Sequence, residues 1–144
     1  MSETMKKNLH FSKAERGQSL VELAISILIL IYLLSGAVEF GIAFFQFVQL
    51  RDAAQEGALY GSLNPSDTTG IIDRVQGASD SPIDLTTITP SITYDGAQCE
   101  GNGITVTLAY DHHVFMPFMS ALIGPTVTLH ASVTDTILNP TCIP

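Results

Sequence analysis

The strongest pattern in the chain is an apolar run without a charge, the sixteen residues from Leu23 to Val38. Apolar residues begin earlier, at Leu20, and continue beyond Glu39 as far as Val48. A helix crosses a hydrocarbon core of about 30 Å with about 20 predominantly apolar residues. The pattern therefore predicts a membrane-spanning helix that starts near Leu20 and has Glu39 near its outer end.

Beyond this run the helix is predicted to continue as a stalk. Apolar residues recur at spacings of three and four, which is typical of one helix face: Ala43, Phe47, Leu50, Ala54 and Ala58. Polar residues occupy the other side: Gln46, Gln49, Asp52 and Glu56. Gly57 and Gly61 are expected to weaken the end of the stalk, and Asn64-Pro65 to stop it. The apolar face should pack on the C-terminal region or on neighbouring helices.

The C-terminal residues, 62 to 144, are enough for a small core. A short helix is predicted over Thr68–Ala78. Three segments rich in β-branched residues predict strands: Leu85–Tyr94, Ile104–Tyr110 and Thr126–Thr134. Pro90 confines the first strand to an edge or splits it. The expected fold class is α+β, with a long N-terminal transmembrane and stalk helix packed on a small antiparallel sheet of about three strands.

Charge is distributed unevenly along the chain, whose net charge is -8. Four of the six basic residues precede position 17, and only Arg51 lies within twenty residues after the apolar run. Basic residues beside a membrane segment stay in the cytoplasm, so the N-terminus is expected inside and the C-terminal head outside. Without residues 1–17, two basic residues face twelve acids, a net of 2 − 12 = −10. This balance excludes a nucleic-acid partner, which needs a basic face.

Three interpretations of the N-terminus compete. A secretory signal would be cut at Ser35-Gly36-Ala37, which would leave a cluster of aromatic residues at the new terminus. An anchor helix would stay uncleaved. Alternatively, a peptidase cuts after Gly17, where the missing side chain lets its carboxylates approach the scissile carbonyl, and Gln18 gains a free amine.

Glu22 bears on the third interpretation, because it lies at the start of the apolar segment. An unpaired carboxylate inside a membrane helix costs a few kcal/mol and usually marks a function and a partner. The free amine of Gln18, from the same or a neighbouring chain, is the expected partner. The alternative is a capping box over Ser19–Glu22, in which Glu22 only closes the helix start.

The segment RGQSLVEL, which contains Gly17, Gln18 and Glu22, resembles the processing site of type IV prepilins. Together with VEFG at 38–41 and AAQEGALY at 53–60, it resembles the TadE-like family, small pseudopilins of tight-adherence (Flp-type) pilus systems. The chain departs from the family pattern at Leu23, Gln55 and Leu59. The resemblance implies a cytoplasmic leader over 1–17, a transmembrane and stalk helix over 18–62, and an exported head over 63–144. It also implies three kinds of partner besides membrane lipid: a prepilin peptidase, sibling pseudopilins and a pilus assembly platform.

Glu39 lies between Val38 and Phe40 at the outer boundary of the apolar run. One interpretation is that its carboxylate only reaches to the membrane surface. The other is a contact between subunits, since Ala37 and Gly41 form a small-xxx-small face that another helix can approach closely.

The exported part contains both cysteines, Cys99 and Cys142, so a disulfide between them is expected, with two unpaired thiols as the alternative. A metal site at His112, His113 and His130 is disfavoured, because adjacent residues of a strand point to opposite faces. The apolar segment Val114–Ile123 is expected either to plug the end of the core or to form an exposed patch for a partner.

No catalytic motif, metal-ligand spacing or cofactor-binding pattern is present in the sequence. We therefore expect a peptidase substrate and not an enzyme, without cofactor or metal, located in the bacterial cytoplasmic membrane as a single-pass protein. The predicted function is that of a minor pseudopilin or assembly factor. The alternative is an uncleaved, membrane-anchored envelope protein whose head binds another surface component.

Overall fold

The computed structural model describes residues 13–78 and 82–140. Helix α1, Lys13–Leu63, is unbroken over 51 residues, which corresponds to a length of about 77 Å. Every described side chain from residue 17 to residue 34 is exposed, and burial begins at Ser35. By length and composition α1 is able to cross a membrane. Helix α1 thus has an exposed apolar part, residues 17–34, and a second part that packs on the C-terminal region.

The C-terminal region forms α2 (Thr68–Gln76), a short 3-10 turn (Leu85–Thr87), β1 (Ser91–Asp95), β2 (Gly103–His113), α3 (Pro117–Ile123) and β3 (Thr126–Thr136). The strands make one antiparallel sheet in the order β1-β2-β3. The predicted α+β class, with a long helix on a three-stranded antiparallel sheet, is confirmed.

The first predicted strand is shorter than expected. The Asp84 side chain accepts a hydrogen bond from the amide of Thr86 (3.0 Å) and stabilises a turn over Leu85–Thr87. Pro90 has no amide hydrogen, and β1 begins at the next residue. β1 lies at the edge of the sheet, the location that Pro90 predicts.

The core lies between one face of the sheet, α1 and α2. The predicted alternation of β2 is confirmed, since Ile104, Val106 and Leu108 are buried and Thr105 and Thr107 face away. On the outer face Thr105 and Thr107 bond the hydroxyls of Thr134 and Ser132 at 2.8 and 2.9 Å. The other fully buried core residues come mainly from the two helices: Leu50, Ala53, Ala54, Ala58, Ile71 and Val75.

Helix α1 continues unbroken through Gly57 and Gly61, and the structure gives these glycines a role that the sequence does not predict. A Cβ at Gly57 would lie 2.5 Å from Cγ2 of Val75, and a Cβ at Gly61 would lie 2.4 Å from Cδ1 of Ile104. These glycines let α1 approach α2 and the sheet more closely than any larger residue allows.

A polar contact joins the end of α1 to α2. The side chain of Asp67 accepts the amide of Gly70 at 3.0 Å as the N-cap of α2, and it accepts the Tyr60 hydroxyl at 2.7 Å. These bonds, first the amide and then the hydroxyl, hold the pKa of Asp67 below its ordinary value. Nearby, the Tyr94 hydroxyl donates to the carbonyl of Pro65 at 2.5 Å.

The segment Val114–Ile123 does not plug the core. Its second part forms α3, which has no buried residue. Phe115 and Leu122 are 66% and 73% exposed. The structure therefore favours the second expectation, an exposed apolar patch.

Candidate functional site

The predicted processing segment lies on the free part of α1. Gly17, Gln18 and Glu22 are exposed, and a Cβ built on Gly17 would meet no atom within 4 Å. In the full-length chain α1 already includes Lys13, so Ser19–Glu22 lie inside the helix and not at its start. The capping interpretation of Glu22 is therefore wrong for this form of the chain.

Glu22 has no side-chain hydrogen bond to the residues that the structure describes. Its backbone carbonyl accepts the Ser26 hydroxyl at 2.8 Å, a bond within the helix. The carboxylate thus remains available to a group outside the described part of the chain.

Glu39 differs from Glu22, because its side chain is buried against the head and only 3% exposed. One carboxylate oxygen, Oε1, contacts Nε2 of His112 at 2.8 Å and accepts the amide of Phe115 at 3.1 Å. The other, Oε2, accepts the amide of Met116 at 3.0 Å. Three donors therefore surround a carboxylate that lies at the outer boundary of the apolar run.

Gln46 completes this group, which we call the Glu39 junction (Glu39, Gln46, His112 and the amides of Phe115 and Met116). Oε1 of Gln46 lies 2.6 Å from Nδ1 of His112. The contact with Glu39 fixes a proton on Nε2 of His112, because a carboxylate oxygen only accepts. Nδ1 and the side-chain amide of Gln46 form the second hydrogen bond of the ring, in which the donor depends on the tautomer of His112.

The Glu39 junction connects three elements: the outer part of α1, the end of β2 and the start of α3. Its Glu and His resemble an acid–base pair, but the side chains of both are at most 4% exposed, so a substrate cannot reach them. No group of three metal-ligating side chains occurs within 13–78 and 82–140. The arrangement therefore serves to hold α3 and β2 against the helix.

Neither interpretation of Glu39 from the sequence includes this intrachain role. The carboxylate is buried within the chain, and the subunit contact proposed for Glu39 stays a prediction. Ala37 and Gly41 are exposed on either side of it, and a Cβ at Gly41 would meet nothing within 4 Å. A helix contact through these two small residues stays a prediction.

Sequence reasoning missed the partners of Glu39, although a signal was present. Glu39 and Gln46 are seven residues apart and so lie on one helix face, two turns from each other. The spacing predicts Gln46 on the polar side of the stalk, and the structure corrects this prediction, since Gln46 is 5% exposed. The alternation of β2 also indicates that only one of His112 and His113 can face the helix; His112 is 1% exposed and His113 is exposed.

Two further predictions concern residues that the structure describes only in part. Cys99 is buried near the start of β2, whereas Cys142 lies outside the described residues, so the Cys99–Cys142 disulfide stays a prediction. Most of the leader over 1–17 lies outside the described residues as well.

Comparison with known proteins gives one match, to the family described as TadE-like protein, over residues 17–59. No curated protein and no solved structure matches the chain. The matched range begins at the predicted cleavage site and ends within the packed part of α1, so it contains Glu22, Glu39 and Gln46 but nothing of the sheet. In this N-terminal helix, the chain is therefore similar to the TadE-like family.

Proposed function

We propose that this protein is a minor pseudopilin or assembly factor of a tight-adherence pilus, cleaved after Gly17 by a prepilin peptidase. Residues 17–34 of α1 span the cytoplasmic membrane, with the N-terminus in the cytoplasm and the head outside. Sibling pseudopilins and the pilus assembly platform are its partners in the membrane.

The observation that carries this proposal is the free apolar part of α1. Eighteen consecutive residues, 17–34, are all exposed. At 1.5 Å per residue they extend about 27 Å, close to the thickness of the hydrocarbon core. Gly17 lies at the base of this segment with open space around it, where a peptidase at the membrane face can reach it.

Glu22 supports the assembly step. Its exposed carboxylate lies one helical turn beyond Gln18, inside the apolar segment. Such a group needs a partner in lipid, and cleavage creates one in the amine of Gln18. An amine from a neighbouring chain would connect two subunits through their anchors.

The test is the intact mass of the protein extracted from membranes. The wild type is expected to lack Met1–Gly17 and to begin at Gln18. Gly17→Phe should keep its full length yet remain in the membrane, because the bulky side chain blocks the approach of the peptidase. Leu28→Phe adds the same ring at a position 62% exposed on the same helix, and it should be trimmed normally.

Glu22→Gln separates processing from assembly. We expect the variant to be trimmed like the wild type but to lose co-purification with sibling pseudopilins, because its amide cannot neutralise an amine. Normal trimming of the Gly17→Phe variant would contradict the processing site.

A second candidate is the uncleaved, membrane-anchored envelope protein whose head binds another surface component. The family match covers residues 17–59 and says nothing about the head, so it is compatible with this candidate too. A full-length mass for the wild type would support this candidate, and loss through Ala37 would indicate ordinary secretion.

A further inference from the structure

Helix α3 and the residue before its N-cap present an apolar surface that nothing in the described chain covers. We call it the α3 surface; it consists of Phe115 (66% exposed), Phe118 (48%), Leu122 (73%) and Ile123 (49%). No charged residue occurs from 114 to 128. Clusters of this kind are typical of surfaces that contact a partner or a membrane.

The α3 surface lies beside the outer part of the anchor. The rings of Phe118 and Tyr32 are 5.3 Å apart between centroids. The sulfur of Met119 lies 3.7 Å from the position of a Cβ on Gly36. With the span starting at Gly17, as proposed above, Tyr32 lies about 23 Å and Gly36 about 29 Å along the helix axis, both within a hydrocarbon core of about 30 Å.

We propose that the α3 surface inserts into the outer leaflet of the membrane and contacts lipid acyl chains. The head is then held at the membrane by two elements, α1 and α3. This inference rests on the proposed function, in which residues 17–34 span the bilayer, and it adds a second contact formed by the head itself.

Several polar groups of this segment are paired within the chain, which favours a hydrocarbon environment because lipid supplies no hydrogen-bond partner. The amides of Phe115 and Met116 donate to the Glu39 carboxylate. The amide of Val114 donates to the carbonyl of Pro125 at 3.0 Å. Ser120, which carries the only hydroxyl in α3, donates to the carbonyl of Pro117 at 3.0 Å. The Glu39 junction therefore satisfies the amides of the two residues directly before α3.

The charge of the head indicates which property of the membrane is recognised. Arg74 is the only Lys or Arg from residue 62 to residue 144, against eight Asp and Glu. Such a surface is not attracted to anionic headgroups. Insertion should therefore depend on apolar contact and occur equally in zwitterionic and anionic lipid.

The chain contains no Trp, so a single introduced Trp reports its own surroundings. The full chain carrying Leu122→Trp is reconstituted at one copy per nanodisc in phosphatidylcholine with brominated acyl chains, which quench a Trp in contact with them. Leu33→Trp, 68% exposed on the anchor, is the positive control. Leu138→Trp, 60% exposed beyond β3, is the negative control.

We expect Leu122→Trp to lose emission to a degree comparable with Leu33→Trp, while Leu138→Trp retains its emission. Replacing a third of the lipid with phosphatidylglycerol should change none of these values. Quenching at Leu33 without quenching at Leu122 would overturn the inference while leaving the anchor intact. If several copies per disc then shielded Leu122 from a soluble quencher, a second copy would be the occupant. No quenching at Leu33 would overturn the membrane anchor and the inference together.

Discussion

Truncation of Glu39 tests whether the Glu39 junction holds the head on the helix. Glu39→Ala removes the acceptor of three donors, Nε2 of His112 and the amides of Phe115 and Met116, all at 2.8–3.1 Å. A buried donor left unsatisfied costs about 1–3 kcal/mol, and breaking a buried pair costs about 3–5 kcal/mol. Because the donors share one carboxylate, these costs are not additive. We expect the free energy of unfolding to fall by about 3–5 kcal/mol, a large part of the roughly 5–15 kcal/mol of a typical domain.

The assay is guanidinium unfolding of the full chain in detergent, followed by near-ultraviolet circular dichroism of the tyrosines, which reports the packing of the head and not the helix content of α1. Glu56→Ala is the matched control, since it removes the same group from an exposed position of the same helix and should change stability by less than about 0.5 kcal/mol. Glu39→Ala combined with His112→Ala should cost less than the sum of the two single variants, because both remove one contact. Equal midpoints for Glu39→Ala and Glu56→Ala would refute the role of the junction.

Three further outcomes follow from the packing of the head. Gly57→Ala should destabilise it by about 1–3 kcal/mol, because the new methyl group would lie 2.5 Å from Val75; unchanged guanidinium unfolding would show that α1 and α2 are less closely packed. Tyr94→Phe should cost about 1 kcal/mol by removing the hydrogen bond to the Pro65 carbonyl, and an unchanged midpoint would argue against that bond. The pKa of Asp67 is held below its ordinary value of 3.8, so its ionised carboxylate stabilises the head above pH 3.8, and this stabilisation is lost as the pH falls through the folded pKa. Melting temperatures of the wild type should therefore drop more steeply below pH 3.8 than those of Asp67→Asn. Parallel curves would contradict this.

The local features of the fold could be predicted from the sequence because they depend on short-range patterns. The apolar run predicts α1, the alternation at 104–108 predicts β2, and Pro90 predicts an edge strand. The role of Gly57 and Gly61 could not be predicted, because a glycine within a helical pattern has two explanations. It can weaken the helix, or it can make room for another element that packs closely on it, and the sequence looks the same in both cases. Only the positions of Val75 and Ile104 distinguish the two.

The candidate site was predictable in part for a related reason. Gly17 and Glu22 belong to one short motif, and their exposure on a free helix agrees with a site for an external enzyme or partner. The Glu39 junction joins residues 73 positions apart in the chain, and such a pairing depends on how the sheet packs on α1. The sequence places an acid at the boundary of the apolar run, but it does not show that a histidine at the end of β2 will meet it.

Because α1 is unbroken, it fixes how the anchor is rotated about the helix axis relative to the head. Glu22 and Glu39 are seventeen residues apart in one unbroken helix, so they differ by about 26 Å in height and point about 100° apart around the axis. The Glu22 carboxylate therefore points in a direction different from that in which the head lies. One residue inserted between them would turn the anchor by about 100° relative to the head, whereas seven would nearly restore the original direction.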